Sequence, residues 1–360
     1  MTGAETTTLR DNHRISRIIK GGWQLAGDHG SVDRADAVAD MEQFLDAGIT
    51  TFDCADIYTG VEEMIGDFIG TVRRNRGSEA ADRICVHTKL VPDLSRLSDL
   101  SDDDVEAIVD RSLKRLQVDC LDLVQFFWWD LDMGTPVKSL EILKRLQEKG
   151  KIKNLGITNW DAEGIGRFVT NGFDIISAQV QYSILDRRPE NGLADWAAEN
   201  NMHLLCYGSL AGGFITDRWL GEDDPGFHFA NRSLIKYRLI IDEFGSWELF
   251  QTLLRVLRSI GDKHGVSLSG VAIRYVLERP LVAAAIVGAR YARHLPRIME
   301  AFSFSLDQED YTRLQEVLKR SQGPDGKVYG LESDRTSRHG RIMKYELNTT
   351  PDAQVHGKES

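Results

Sequence analysis

A single-domain α/β fold, the (β/α)8 TIM barrel, is what this sequence predicts, and three observations carry the prediction. Short apolar runs of β type alternate with longer segments of helical period, the mark of repeated βα units around a parallel sheet. Eight such runs occur in 360 residues. The competing architecture, a doubly wound nucleotide-binding sheet, wants Gly-x-Gly-x-x-Gly after its first strand, and no such motif stands there.

In chain order the strands are expected to begin near Ile18 (IIKGGW), Thr50 (TTFDC), Ile84 (ICVHTK), Leu121 (LDLVQF), Ile152 (IKNLGIT), Ile175 (IISAQVQ), His203 (HLLCY) and Ala284 (AAIVG). Most are rich in residues that suit a buried, pleated surface. The helix after the third strand shows how the intervening segments read. Ser101 can cap it, Asp102, Asp103 and Asp104 oppose its N-terminal dipole, and Val105, Ile108, Val109 and Leu113 make one apolar stripe. AVADMEQFLDAG, PVKSLEILKRLQEKG and GLADWAAENN follow other strands with similar patterns, several ending in Gly or Asn just past the last turn.

Consecutive strands start roughly 20 to 40 residues apart, except that about 80 separate the seventh from the eighth. The extra length begins GSLAGGFITDRWLGEDDPGFHFANRSL, Gly-rich and polar, so a long loop is expected over about 208–245. At the mouth of a barrel such a loop is either a lid or a passive insertion. The barrel is expected to fill 1–322. From 323 to 360 aliphatic side chains are scarce, which predicts a tail draped on the surface or partly disordered.

With 42% hydrophobic and 28% charged residues, the composition is that of an ordinary globular protein. A formal charge of -11 disfavours nucleic acid and anionic lipid as partners. No phosphate-binding Gly-x-x-x-x-Gly-Lys-Ser/Thr loop is present, which removes the simplest route to a kinase. The cysteines Cys54, Cys85, Cys120 and Cys206 are widely spaced, so neither a zinc finger nor a disulfide framework is expected. A reducing, cytoplasmic setting is the default expectation, with no signal peptide and no membrane span. The oligomeric state is not readable from any pattern.

Active sites of such barrels lie at the C-terminal ends of the strands. Asp53 ends the second strand, Tyr58 follows five residues on, and Lys89 ends the third. A buried carboxylate and ammonium on neighbouring strands should pair, and a plain salt bridge would satisfy that much. Tyr58 adds chemistry: a phenol beside an ammonium should have its pKa lowered, making an acid able to protonate a carbonyl oxygen while hydride reaches its carbon. His87, two residues before Lys89, should face inward one layer deeper, as a core histidine. No His-x-His or His-Glu-x-x-His motif offers a metal site, and a barrel hydrolase would need such a cluster or paired carboxylates.

The trio of Asp53, Tyr58 and Lys89 resembles the aldo-keto reductase superfamily, and the likeness extends along nearly the whole chain. It recurs in EEMIGDFIG, in DRSLKRLQVDCLDLVQ, in the run from KGKIKNLGITNW to ISAQVQYSILDRR, and in SLAGGFIT and AAIVGAR. The resemblance implies the same barrel and a cofactor, NADP(H) with NAD(H) not excluded, bound across the mouth. It implies that Thr158, Asn159 and Gln179 hold the nicotinamide carboxamide and that Tyr207 stacks on the ring. It places Gly288, Ala289 and Arg290 against the adenosine phosphates, with the Arg290 guanidinium suited to a 2′-phosphate. Family members often carry Gln and Asn for the adenine where this chain has His294 and Ile298. Trp23 and Trp128 are expected in the wall of the substrate pocket, and the substrate is a small carbonyl compound or its alcohol.

One departure is larger. Relatives commonly carry a His on the fourth strand, in a stretch like QFHWWD, where this chain reads Gln125-Phe126-Phe127-Trp128-Trp129-Asp130. Phe127 stands at the fourth catalytic position without a donor, and losing one such donor typically costs on the order of 3 kcal/mol of transition-state stabilisation. Three readings follow: a reductase tuned to bulkier or more apolar substrates, a reaction in which carbonyl polarisation matters less, or a cofactor-binding, redox-sensing protein with little turnover.

Overall fold

The computed structural model describes residues 3–26, 30, 32–229 and 231–348. The chain opens with a small antiparallel hairpin, β1 (Thr6–Thr8) and β2 (Arg14–Ser16), in the register Thr6 to Ser16. Eight parallel strands then close a barrel: β3 (Ile18–Gly21), β4 (Thr51–Asp53), β5 (Cys85–Leu90), β6 (Leu121–Phe126), β7 (Ile152–Thr158), β8 (Ile175–Gln181), β9 (His203–Tyr207) and β10 (Val282–Val287). β10 pairs back onto β3, with Ala285 opposite Ile18 and Val287 opposite Lys20. Each expected strand forms within two residues of its expected start.

Helices form the outer ring, and their ends follow from local chemistry. Ser101 and Asp104 make a reciprocal capping box at the start of the helix Asp102–Leu116, whose Val105, Ile108, Val109 and Leu116 are buried against the sheet. The helices Arg34–Asp46, Pro136–Glu148 and Leu193–Glu199 occupy the other three expected segments.

The N-terminal hairpin closes the lower end of the barrel. Leu9 and Ile15 join Ile19, Leu123, Ile176, Leu205 and Ile286 in a separate apolar cluster. His13 Nε2 lies 3.0 Å from His87 Nε2, and Asn154 Nδ2 lies 3.2 Å from His13 Nδ1. Cys85 Sγ is 3.7 Å from His13 Nε2, so three soft side chains meet here. The hydrogen bonds from Asn154 through His13 to His87 account for that meeting, and His87 sits where a deep, core histidine was expected.

One segment differs from expectation. The loop after β9 ends at Asn231 rather than near 245, because Asn231 caps a helix, Arg232–Phe244, that buries Leu239, Ile240, Ile241 and Phe244. Within 323–348 the tail is ordered against the barrel and buries Val328, Tyr329, Glu332 and His339. Apolar side chains (Val328, Leu331 and Met343) pack against the core, and polar contacts add to them. Arg188 donates two hydrogen bonds to Glu332, at 3.0 and 3.2 Å, and both side chains are 1% exposed. Farther along, Asp93 accepts from the backbone of Leu347 and Asn348 at 2.8 Å. The rest of the expected tail, 349–360, lies outside the described residues.

Candidate active site

Parallel strands deliver their last side chains to one end of the barrel, and there a cavity of ≈ 540 Å³ opens. At its base Lys89 Nζ lies 2.9 and 2.7 Å from the two Asp53 carboxylate oxygens and donates to Cys54 O at 2.8 Å. Both partners are buried, so neither charge could stand alone. Register explains the approach: Asp53 pairs with His87, which puts Lys89 one inward-facing step above it. The Asp53 Oδ1 atom also accepts from Gln179 Nε2 at 2.6 Å and from Gln125 Nε2 at 3.2 Å. Gly156 leaves room for this, since a Cβ there would press on Ser177 Oγ at 2.7 Å and on Gln125.

Tyr58 sits beside the pair, with Lys89 Nζ 5.2 Å from its ring centroid, and Trp23 packs edge-on against it at 4.9 Å. Its pKa moves opposite to the sequence expectation. Burial pushes the phenol up to about 12, and the pull of Lys89, whose charge Asp53 largely balances, only limits the rise. Burial also works against the Lys89 ammonium, but Asp53 and Tyr58 more than offset it and hold its pKa above the usual lysine value.

The opposite wall comes from β7, β8 and β9. Thr158 Oγ1 donates to Gln179 O at 3.1 Å. Asn159, in the left-handed region with φ 63, accepts a hydrogen bond from Tyr207 Oη at 2.8 Å. All four of these residues line the cavity, as do Trp23 and Gly288. Phe127 is 4% exposed and turns its ring to the cavity, between Trp129 at 4.8 Å and Tyr329 at 5.7 Å.

Three expected site residues lie off this wall, and one of them, Ala289, is buried in the core. Trp128 is not on the cavity wall: it stacks on Phe126 in the core and donates Nε1 to Met133 O at 2.9 Å. Side chains alternate past the end of β6, so Phe127 and Trp129 share the inner side, and that alternation was the available signal. Arg290 is also off the wall, its guanidinium 5.2 Å from the Tyr291 ring centroid and near Gly30.

Sequence reasoning missed Gln125, Ser233, Lys236, Tyr237 and Tyr329. Lys236 reaches the cavity from the helix Arg232–Phe244 and lies 5.1 Å from the Tyr207 ring centroid and 3.7 Å from Glu332. Burial lowers its pKa, with Glu332 resisting. Ser233 accepts from Trp23 Nε1 at 2.8 Å and so ties this helix to the first barrel strand's loop.

The comparisons agree with this geometry. The aldo/keto reductase family profile matches residues 17–319. The aldo-keto reductase YhdN of Bacillus subtilis is 26% identical over 324 residues, covering 88% of this chain and 94% of that protein. The NADH-specific methylglyoxal reductase of Escherichia coli is 24% identical over 324 residues, covering 84% and 94%. Among solved structures, the glycerol dehydrogenase AKR11B4 from Gluconobacter oxydans shares the fold with a TM-score of 0.74 at 24% identity, covering 90% of this chain and 98% of that one. No helix among the described residues is long and apolar enough to cross a membrane. A closed eight-stranded barrel with Asp53, Tyr58 and Lys89 at its mouth, matched over 17–319, makes this chain an oxidoreductase of the aldo/keto reductase family.

Proposed function

We propose that the protein is an NADP(H)-dependent reductase that interconverts an aldehyde, ketone or sugar carbonyl with its alcohol by hydride transfer, with Tyr58 as general acid and base. The observation that carries this reading is the buried Asp53 and Lys89 pair beside Tyr58 on the wall of one cavity.

Two features suit a dinucleotide. Gln24 Oε1 is buried on the cavity side without a partner among the described residues, an acceptor that a ribose O–H or an amide N–H would satisfy. A Cβ at Gly288 would come within 2.2 Å of Gln24 Nε2, so a larger residue would displace that side chain. Thr158, Asn159 and Gln179 offer the polar edge for a carboxamide, and Tyr207 offers an aromatic face. Arg290, outside the cavity wall near Gly30, would offer charge only to the adenosine end of a cofactor that extends past Gly288.

When bound, the nicotinamide cofactor supplies hydride in reduction and accepts it in oxidation. Tyr58 holds the proton destined for the substrate oxygen, Lys89 eases formation of its phenolate, and Asp53 keeps Lys89 in place. Gln125 and Gln179 in turn fix the carboxylate. Trp23, Phe127 and Trp129 form an apolar wall that keeps water from the reacting carbon.

The test is direct. NADPH should quench tryptophan fluorescence and lose its absorbance with at least one member of a panel of aldehydes, ketones and sugars. Neither signal with any compound overturns the reading. A second reading, cofactor binding with little turnover, is favoured by the donor-free Phe127 ring. Tight NADPH binding without turnover, unchanged by Phe127→His, would establish it.

A further inference from the structure

Phe127 leaves the carbonyl oxygen with Tyr58 as its only expected donor, yet another phenol enters the same cavity from the C-terminal segment. We propose that Tyr329 takes the place of the missing histidine, its O–H donating a hydrogen bond to the substrate carbonyl oxygen. This rests on the carbonyl-reductase reading above.

Position comes first. The Tyr329 ring packs edge-on against Phe127, with centroids 5.7 Å apart and planes at 81°. Phe127 and Tyr329 thus meet on the wall of the same cavity that Tyr58 and Lys89 line. Tyr58 is close enough to influence the Tyr329 phenol electrostatically.

Availability comes second. Buried phenols usually spend their O–H on a protein partner. Tyr329 is 9% exposed, and its hydroxyl has no hydrogen-bond partner among the described residues. Burial, with Glu332 nearby, raises its pKa well above the usual tyrosine value, so the proton stays on the oxygen throughout the neutral range.

Third, the fold holds the residue where an aromatic side chain seldom goes. Tyr329 has φ 61 and ψ 8, the left-handed region that bulky residues rarely adopt. Three residues on, Glu332 is locked to Arg188 by the two buried hydrogen bonds described above. Such over-determined strain gathers at working sites. The cavity's other unabsorbed phenol, Tyr237, leans instead on the glycines of the loop after β9: a Cβ at Gly208 would lie 2.7 Å from its oxygen.

Four proteins test the assignment: the wild type, Tyr329→Phe, Tyr329→Phe with Phe127→His, and Tyr237→Phe. With an aldehyde that the wild type reduces, Tyr329→Phe should lower kcat about a hundredfold. Its NADPH affinity, read by tryptophan quenching, should change less than about twofold, and adding Phe127→His should recover at least about tenfold. Undiminished kcat in Tyr329→Phe, or a loss confined to Tyr237→Phe, overturns the proposal. Infrared spectra of benzaldehyde bound in the presence of NADP give a readout free of turnover. The C=O stretch should lie lower in the wild type than in Tyr329→Phe, and equal frequencies overturn the assignment. A shifted stretch with no turnover by the wild type would instead sink the reductase reading and leave the donor in place.

Discussion

Gln179 donates to Asp53 Oδ1 at 2.6 Å across the barrel interior, so the carboxylate that restrains Lys89 is itself restrained from β8. Asp53 is the hub of the site: it accepts from Lys89, Gln125 and Gln179 at once.

Asp53→Asn should therefore damage both chemistry and stability. It strands the Lys89 ammonium in a dry interior, which costs about 3 kcal/mol or more when one member of a buried pair is removed. Urea unfolding should report that loss, and kcat should fall at least about tenfold as Lys89 drifts from Tyr58. A variant of wild-type stability would show that water reaches the pair.

The Tyr58 phenol, pushed up to about 12, sets the two directions of the reaction apart in pH. On the proposed role as the acid in reduction it stays protonated, so the reduction rate should be level between about pH 6 and 9. Oxidation of the alcohol needs the phenolate, which is about one part in ten thousand at pH 8, so that rate should climb nearly tenfold per unit towards pH 12. Initial rates over a pH series check both. A plateau in oxidation below pH 10 would place the phenol lower.

Glu332 makes the tail acid-sensitive. Burial raises its pKa, but Lys236 and Arg188 outweigh that and hold it at about 2, against 4.5 when free. A lowered folded pKa means stability present above 4.5 and lost as pH falls towards 2, here roughly 3 kcal/mol. Glu332→Gln should forfeit that contribution at neutral pH and flatten the acid limb of a melting-temperature profile. Limited proteolysis should cut the variant's tail sooner.

Lys20 works in the other direction. Buried on β3 with its ammonium 5.5 Å from the Phe44 ring centroid, it has its pKa lowered from 10.5 to about 8 by desolvation, which Asp40 only partly opposes. Between those values the unfolded chain binds more protons than the folded one, so this residue makes stability rise with pH from about 8 to 10.5. Lys20→Met should be more stable at neutral pH by roughly 3 kcal/mol, and that advantage should shrink through the same interval. An advantage independent of pH would assign the gain to packing.

Arg290→Ala should weaken NADPH about tenfold while sparing NADH, if the guanidinium meets the 2′-phosphate. Paired KM values for the two cofactors decide it, and equal losses would move the phosphate elsewhere.

The eight barrel strands were legible because each is a short apolar run that only a sheet buried on both faces can use. The hairpin β1 and β2 was not: three residues per strand carry no period. The helix Arg232–Phe244 was hidden by the polar, Gly-rich stretch that runs into its cap, although Asn231 before SLIKYRLIIDEF was a usable start signal. Asp53, Tyr58 and Lys89 could be read from their spacing, whereas Gln125 gave no sign, since its role appears only when barrel closure turns it towards Asp53. What holds the tail was not legible, because a buried ion pair between residues 144 positions apart leaves no local pattern of apolar side chains. The direction of the Tyr58 shift was misjudged because spacing reveals a neighbour's charge but not the loss of water around it.

Two segments outside the barrel serve its opposite mouths. The hairpin stoppers one end, while Tyr329 and Met343 join the wall at the other. A chain cut before position 329 would keep Asp53, Tyr58 and Lys89 yet leave the cavity open on one side, so the pocket is whole only when the segment that follows the barrel folds back onto it.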